Sequence, residues 1–316
     1  MDGIVITHDN YLEIMCEKEP SMEGWEALYD ATNNDTGMDR FNMPTNRYPL
    51  DDFEGFTPNE MHGLLYTPYD DERSPLYIDP ELDDERVDDV RICRHVKKYL
   101  GMLRERQPLK LTAKGNLPRN FCRELCEADI LEGDRSAFEH RSIMREEASY
   151  YIHFMNVFTQ LIGFSSMDKG YVSSTEKAEE YLDSRSPSEW FTHLFKAHTE
   201  KFNWGYSDYY SEAEIIQGGF GFSIFLVQKY GDEPSEVKFY TDKFLKAFPS
   251  VLSEFPDKGS TSGKKLFGYC YETRTFERFL ERFGLIEYSG AEGIFSMDRS
   301  LVKKDLIDHV FKWKVL

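Results

Sequence analysis

From residue 88 onward the apolar positions recur at helical spacing, and short alternating stretches interrupt the recurrence. Val90, Cys93, Val96, Tyr99, Leu100 and Leu103 recur at spacings of three and four, which predicts a helix ending near Arg104. The alternation over 108–112 predicts a strand, closed by a turn at Lys114-Gly115-Asn116. Pro118 then opens a helix whose apolar stripe is Phe121, Cys122, Leu125 and Cys126. A third helix is predicted over 145–163, with Tyr151, Phe154, Phe158, Leu161 and Ile162 on one face. Two strands flanking Asp168-Lys169-Gly170 and a helix over 175–182 complete the series. Helix, strand, helix, helix, hairpin, helix is the order of a winged-helix module, in which the hairpin pairs with the early strand.

The last third repeats this plan. A helix over 212–230 is interrupted by Gly218, Gly219 and Gly221, and a second over 236–248 ends at Pro249. A polar loop at 258–263, a third helix over 273–283 and strands at 285–288 and 294–297 follow. Each third helix runs into its hairpin through a glycine, Gly163-Phe164 in one case and Gly284-Leu285 in the other. Between the two lies a helical bridge with Trp190, Phe191, Leu194, Phe195 and Phe202.

Residues 1–88 have another texture. Pro20, Pro44, Pro49, Pro58, Pro68, Pro75 and Pro80 rule out long helices and disfavour central strands. The aromatics among them are too many for a solvated tail, so an irregular arm packed on the body is expected. Thr57 and Glu60 have the spacing of a capping box and predict a short helix over Pro58–Tyr66. The expected fold class is therefore mainly α with short β-hairpins (α+β). Tandem winged-helix-like modules at 89–186 and 211–316 are joined by the bridge at 187–210 and carry the acidic arm at 1–88.

Charge sharpens this division. Residues 1–90 hold 24 acidic against 5 basic residues, which accounts for the whole net charge of −19, and 91–316 hold 33 of each. Three readings of the acidic arm stay open: packing, autoinhibition over a basic stripe, and mimicry of nucleic acid. Aromatics at 15 % exclude a disordered chain. No apolar run reaches the roughly 18 residues of a membrane helix, and the N-terminus lacks a secretory pattern. Five cysteines suggest reduced thiols and a cytoplasmic location.

Three segments resemble the recurrent blocks of a widespread bacterial family of uncharacterised proteins. They are Phe56-Thr57-Pro58-Asn59-Glu60-Met61-His62, Leu109-Lys110-Leu111-Thr112-Ala113-Lys114-Gly115-Asn116-Leu117-Pro118, and Thr275-Phe276-Glu277-Arg278-Phe279-Leu280-Glu281-Arg282-Phe283-Gly284-Leu285. The resemblance implies a bacterial or phage cytoplasmic origin and a winged-helix-like body. It carries no assigned activity and hence no catalytic residues.

A winged helix that reads DNA needs cations on its third helix. The stretch 148–163 has no Lys or Arg and offers only Tyr150, His153, Asn156 and Gln160 as polar contacts. This favours a buried helix or one turned to a protein partner. In the second module Arg274, Arg278 and Arg282 recur every four residues and, with Lys303 and Lys304, form the one candidate basic face. Glu277 and Glu281 beside them indicate an exposed, ion-paired surface.

Catalytic patterns are weak. Cys122 and Cys126 lie one turn apart without a second ligand pair for zinc. Glu139-His140 and Glu146-Glu147 could bring an imidazole to carboxylates, without a nucleophile or metal motif beside them. His193 and His198 are five apart, off the same-face spacing, and Gly218-Gly219-Phe220-Gly221 lacks the Lys-Ser/Thr of a P-loop. No cofactor, metal or catalytic residue is expected. The expected function is non-enzymatic recognition of a protein, as scaffold, adaptor or inhibitor in bacterial or phage regulation or defence. The alternatives are a DNA-binding regulator using the Arg face and an acidic nucleic-acid mimic. A homodimer is a further expectation, since winged-helix modules pair through helices and hairpins.

Overall fold

The computed structural model describes residues 44–70, 72–128, 130–131, 145–289 and 299–314. Thr57 caps the first of its helices, α1 (Pro58–Tyr66): its hydroxyl accepts the Glu60 N–H at 3.2 Å, and the Glu60 carboxylate accepts the Thr57 N–H at 2.7 Å. This is the expected capping box, and it ties off two of the four donors a helix start leaves open. A short strand β1 (Leu76–Ile78) and a single turn α2 (Asp84–Val87) follow. The long helix α3 (Arg91–Arg106) starts in one compact unit and ends in another: residues 44–101 and 177–314 form one, and residues 102–176 the other.

In the smaller unit β2 (Leu109–Lys110) leads to α4 (Arg119–Glu127), then to α5 (Tyr150–Leu161) and the hairpin β3 (Ser165–Asp168) and β4 (Tyr171–Ser174). The three strands are antiparallel in the order β2-β4-β3, with Val172 opposite both Leu109 and Met167. Apolar side chains cover most of α5: Tyr151, Ile152, Phe154, Met155, Val157 and Phe158 are all buried. A helix apolar around this much of its circumference belongs in a core.

The larger unit continues with α6 (Glu176–Ser184), α7 (Pro187–Glu200), α8 (Glu214–Gly218) and α9 (Phe220–Tyr230). Next come β5 (Ser235–Glu236), α10 (Val237–Ala247) and α11 (Gly263–Tyr271), which winds on as a π-helix over Glu272–Leu280. The hairpin β6 (Ile286–Ser289) and β7 (Ser300–Lys303), then α12 (Asp305–Val310) and β8 (Phe311–Trp313), close the chain. The second sheet has the order β5-β7-β6, with Leu301 opposite both Ser235 and Tyr288. The hairpin's return strand is thus Ser300–Lys303; the expected strand at 294–297 lies outside the described residues.

Both sheets are closed by the same backbone bonds. Leu111 N–H donates to Gly170 O (2.8 Å) and Val237 N–H to Arg299 O (2.9 Å). Thr175 N–H donates to Phe164 O (3.1 Å) and Lys304 N–H to Leu285 O (2.9 Å). Each third helix ends in a Schellman motif on a glycine in the left-handed region, Gly163 at φ 74 and Gly284 at φ 67. Phe164 N–H reaches Thr159 O at 2.8 Å and Leu285 N–H reaches Leu280 O at 2.9 Å. The fold is mainly helical with small antiparallel sheets, and one plan recurs in it.

The described part of the acidic arm and the bridge helix α7 belong to the same unit as the β5-β7-β6 sheet. β1 pairs antiparallel with β8, Leu76 opposite Trp313 and Ile78 opposite Phe311. Phe195 of α7 stacks among Phe279, Phe283 and Phe311 at 5.4, 5.2 and 4.9 Å between ring centres. Phe56, Met61, Leu64 and Leu76 of the arm are buried, whereas Tyr48 and Tyr66 are exposed. Among the described residues no helix is long and apolar enough to cross a membrane.

Candidate functional site

The most unusual backbone of the larger unit lies between α7 and α8. Ser207, Tyr209 and Ala213 all hold positive φ, at 57, 61 and 42. None is a glycine, so each conformation costs roughly 1 kcal/mol and must be enforced by its surroundings. At one end of the loop Trp204 is anchored: its indole N–H donates to His198 O at 2.9 Å and its backbone N–H to Gln217 Oε1 at 3.0 Å. At the other, Ser211 Oγ donates to Glu254 O (2.6 Å) and Ala213 N–H to Glu254 Oε2 (2.9 Å).

Arg274 supplies the central clamp. Its Nε donates to Asp208 Oδ2 at 2.6 Å and its Nη2 to Asp208 Oδ1 at 3.1 Å. Nη2 also donates to Ser211 O at 2.8 Å, and Nη1 donates to Glu212 O. Burial alone works against a charge here; the hydrogen bond and charge of Asp208, with the fields of Cys270 and Glu254, together outweigh it and hold the guanidinium pKa above its ordinary value. Arg274 stands on the π-helical stretch, a winding that is rare and concentrates at functional positions. A second clamp holds that stretch: Arg299 pairs with Glu272 Oε1 at 3.0 Å and donates to Glu277 Oε1 at 2.9 Å, with its guanidinium over the Tyr288 ring.

What the clamp holds in place is Tyr209. Its neighbour Asp208 is 9 % exposed, yet Tyr209 itself is 98 % exposed. A rigid loop therefore offers an aromatic ring with almost none of its surface covered. Such a ring loses little side-chain entropy on contact and buries a large amphipathic surface.

The expected basic face is corrected by these contacts. Arg274 and Arg282 are 2 % and 6 % exposed and Arg278 is half-buried, so the three do not form a solvent-facing stripe. Buried arginines require buried partners, and Asp208 and the loop carbonyls supply them for Arg274. Lys303 is paired with Asp232 and Asp308 at 2.9 and 2.8 Å, and Lys304 is exposed.

α5 takes the buried one of its two expected placements: His153 and Asn156 meet on the carboxylate of Glu146, so its polar positions do not make an outward interaction face. Asn156 Nδ2 donates to Glu146 Oε1 at 2.9 Å, His153 Nδ1 lies 2.8 Å from the same oxygen, and Leu117 N–H donates to Oε2. Gln160 Nε2 adds a bond to Asn156 Oδ1 at 2.9 Å, and Tyr150 is half-buried. A buried carboxylate must be hydrogen-bonded, and Leu117, His153 and Asn156 do it, with Gln160 bracing Asn156. Glu139 and His140 lie outside the described residues, so the imidazole at Glu146 is His153, which sequence spacing did not single out.

Burial, with the Glu146 charge added to it, pushes the Cys122 thiol up to about 12, far from a reactive thiolate. His198 stacks on Phe202 and Phe279 in an aromatic core. Among the described residues no three His, Cys, Asp or Glu side chains gather as metal ligands. The chain matches no family model, no curated protein and no solved structure.

Proposed function

We propose that the chain is a non-enzymatic protein-recognition protein built on two winged-helix-like modules, with the 203–213 loop as its contact element. One observation carries the reading: Tyr209 is 98 % exposed on a loop whose strained backbone is locked by the buried Arg274 clamp. Strain of this kind persists where the presented conformation matters, and tyrosine is among the residues that dominate protein contacts. The recurrence of the β2-β4-β3 order as β5-β7-β6 supports the modular part of the reading.

Protein is favoured over nucleic acid because the third helices lack a free cationic face. The helix α5 has no Lys or Arg, and Arg274 and Arg282 of the other module are buried. DNA affinity rests on cations free to meet phosphates. The test is a full-length chain with a photo-reactive phenylalanine analogue at 209, irradiated in native extract and treated with nuclease. A discrete polypeptide should be captured, and its retention should fall at least about tenfold in Tyr209→Ala, the effect of losing a hot-spot ring. Capture of nucleic acid alone, or retention indifferent to Tyr209→Ala, overturns the reading.

A further inference from the structure

The arm segment 50–56 is a turn that satisfies its own backbone. Leu50 N–H donates to Phe56 O (3.1 Å), Gly55 N–H to Leu50 O (3.0 Å), Phe53 N–H to Leu50 O (3.1 Å) and Glu54 N–H to Asp51 O (3.2 Å). It is fastened to the rest of its unit through side chains. Glu54 reaches into a cradle formed by α9 and α10: Lys243 Nζ lies 2.6 Å from Oε1, Lys229 Nζ 3.0 Å from Oε2, and the Tyr230 hydroxyl donates to Oε2. Lys229 also donates to the Glu54 carbonyl at 3.2 Å. Asp52 pairs with Lys246 at 2.9 Å, one turn further along α10.

The cradle is built, not incidental. Lys229 and Lys243 both lie over the Tyr230 ring, 5.3 and 4.9 Å from its centre. Two ammonium groups are thus held close together by an aromatic face, with a hydroxyl between them, around one carboxylate that is 7 % exposed. Without an anion these like charges would repel. Glu54 itself is held in the left-handed region at φ 58, a strained backbone for a non-glycine residue.

We infer that Lys229, Tyr230, Lys243 and Lys246 form a docking site for an acidic segment of a protein partner, and that the Asp52–Glu54 turn occupies it as an internal plug. The chemistry of the occupant is the argument. A turn bearing two carboxylates two residues apart fills the site, with Phe56 anchored beside it on Phe225 and Trp313. The backbone–backbone bonds of the turn are all internal, so it can leave and return as a unit; off the cradle, and without the Lys229 bond to the Glu54 carbonyl, it opens more readily to water. The Asp52–Glu54 turn of the arm therefore sets its carboxylates on lysines of α9 and α10. The inference rests on the reading of the chain as protein-recognising, but not on the Tyr209 loop.

The experiment uses a fluorescent peptide of residues 48–58 and the full-length chain. The tethered plug competes at an effective concentration of about millimolar, so the peptide should bind wild type at least tenfold more weakly than the variant D52N/E54Q. Adding Lys243→Ala to that variant should abolish binding, raised salt should weaken it, and Tyr209→Ala should leave it unchanged. In the wild-type chain, excess peptide should speed hydrogen exchange of the Phe53, Glu54, Gly55 and Phe56 amides, a readout independent of whether D52N/E54Q folds. Equal binding to both chains, or no binding together with no change in exchange, overturns the plug. Displacement of the peptide by equimolar duplex DNA reassigns the cradle to phosphate and overturns it as well. Loss of peptide binding with Tyr209-dependent capture intact sinks the plug alone.

Discussion

Arg274 Nε lies 2.6 Å from Asp208 Oδ2, with the two side chains 2 % and 1 % exposed. Removing one member of such a pair leaves the other charged, buried and unpaired. Arg274→Met or Asp208→Leu should therefore cost about 3–5 kcal/mol in urea unfolding. The double variant should lose less than the sum, because neither charge is then stranded. If the singles cost under about 1 kcal/mol, the clamp does not hold the loop as described.

Glu146 is the equivalent point of tension in the smaller unit. Its carboxylate accepts from Leu117 N–H and from the Asn156 amide, and His153 lies at hydrogen-bond distance. Glu146→Ala strands these groups, so a loss of roughly 3 kcal/mol or more is expected, against a smaller loss for Glu146→Gln, which keeps an acceptor. The His153 imidazole chemical shifts should move in both variants. An unaltered His153 spectrum in Glu146→Ala would contradict the contact.

Local chemistry was legible where the partners are near in sequence. The Thr57–Glu60 capping box, the helix-strand-helix-helix-hairpin order and the two glycine helix ends all follow from spacing. The two-residue strand Ser235–Glu236 was not, because it adjoins the helix start: Glu236 reads as the first helical residue, and no alternation flanks the pair as it does Leu109–Lys110. Arg274, Arg278 and Arg282 misled for a different reason. The countercharge of Arg274, Asp208, is more than sixty residues away on a loop, and periodicity cannot tell a solvated cation from one clamped inside. The same distance hid Glu54, whose partners Lys229 and Lys243 lie 175 and 189 residues along the chain. His153 was noticed only as a polar face residue, since its bond to Glu146 depends on the turn that precedes α5.

The repeated helix end gives a paired prediction. Gly163 and Gly284 occupy φ 74 and 67, where a side chain is strained, and each starts the same hydrogen-bond pattern into a hairpin. Gly163→Ala and Gly284→Ala should each destabilise by about 1 kcal/mol in thermal or urea unfolding. A large loss at one site with none at the other would mean that the two ends are not equivalent.

Acid should weaken the fold in two separable windows. Burial holds the His95 and His193 imidazoles down to about 3 and about 4, and the His198 imidazole well below its ordinary value, so all three are neutral in the folded chain. As pH falls below 6.5 the unfolded chain takes up protons that the folded chain refuses, at about 1.4 kcal/mol per pH unit for each group. Glu54 acts lower. Burial raises its carboxyl, but the hydrogen bonds from Lys243, Tyr230 and Lys229 outweigh this and bring it from 4.5 to about 2. Its contribution is therefore complete above pH 4.5 and disappears as pH falls to about 2, some 3 kcal/mol in all. The stability gap between wild type and Glu54→Gln should be constant from pH 7 to 5 and then shrink by that amount, while the histidine loss is common to both chains and cancels. A gap that closes above pH 5 would place Glu54 outside the cradle.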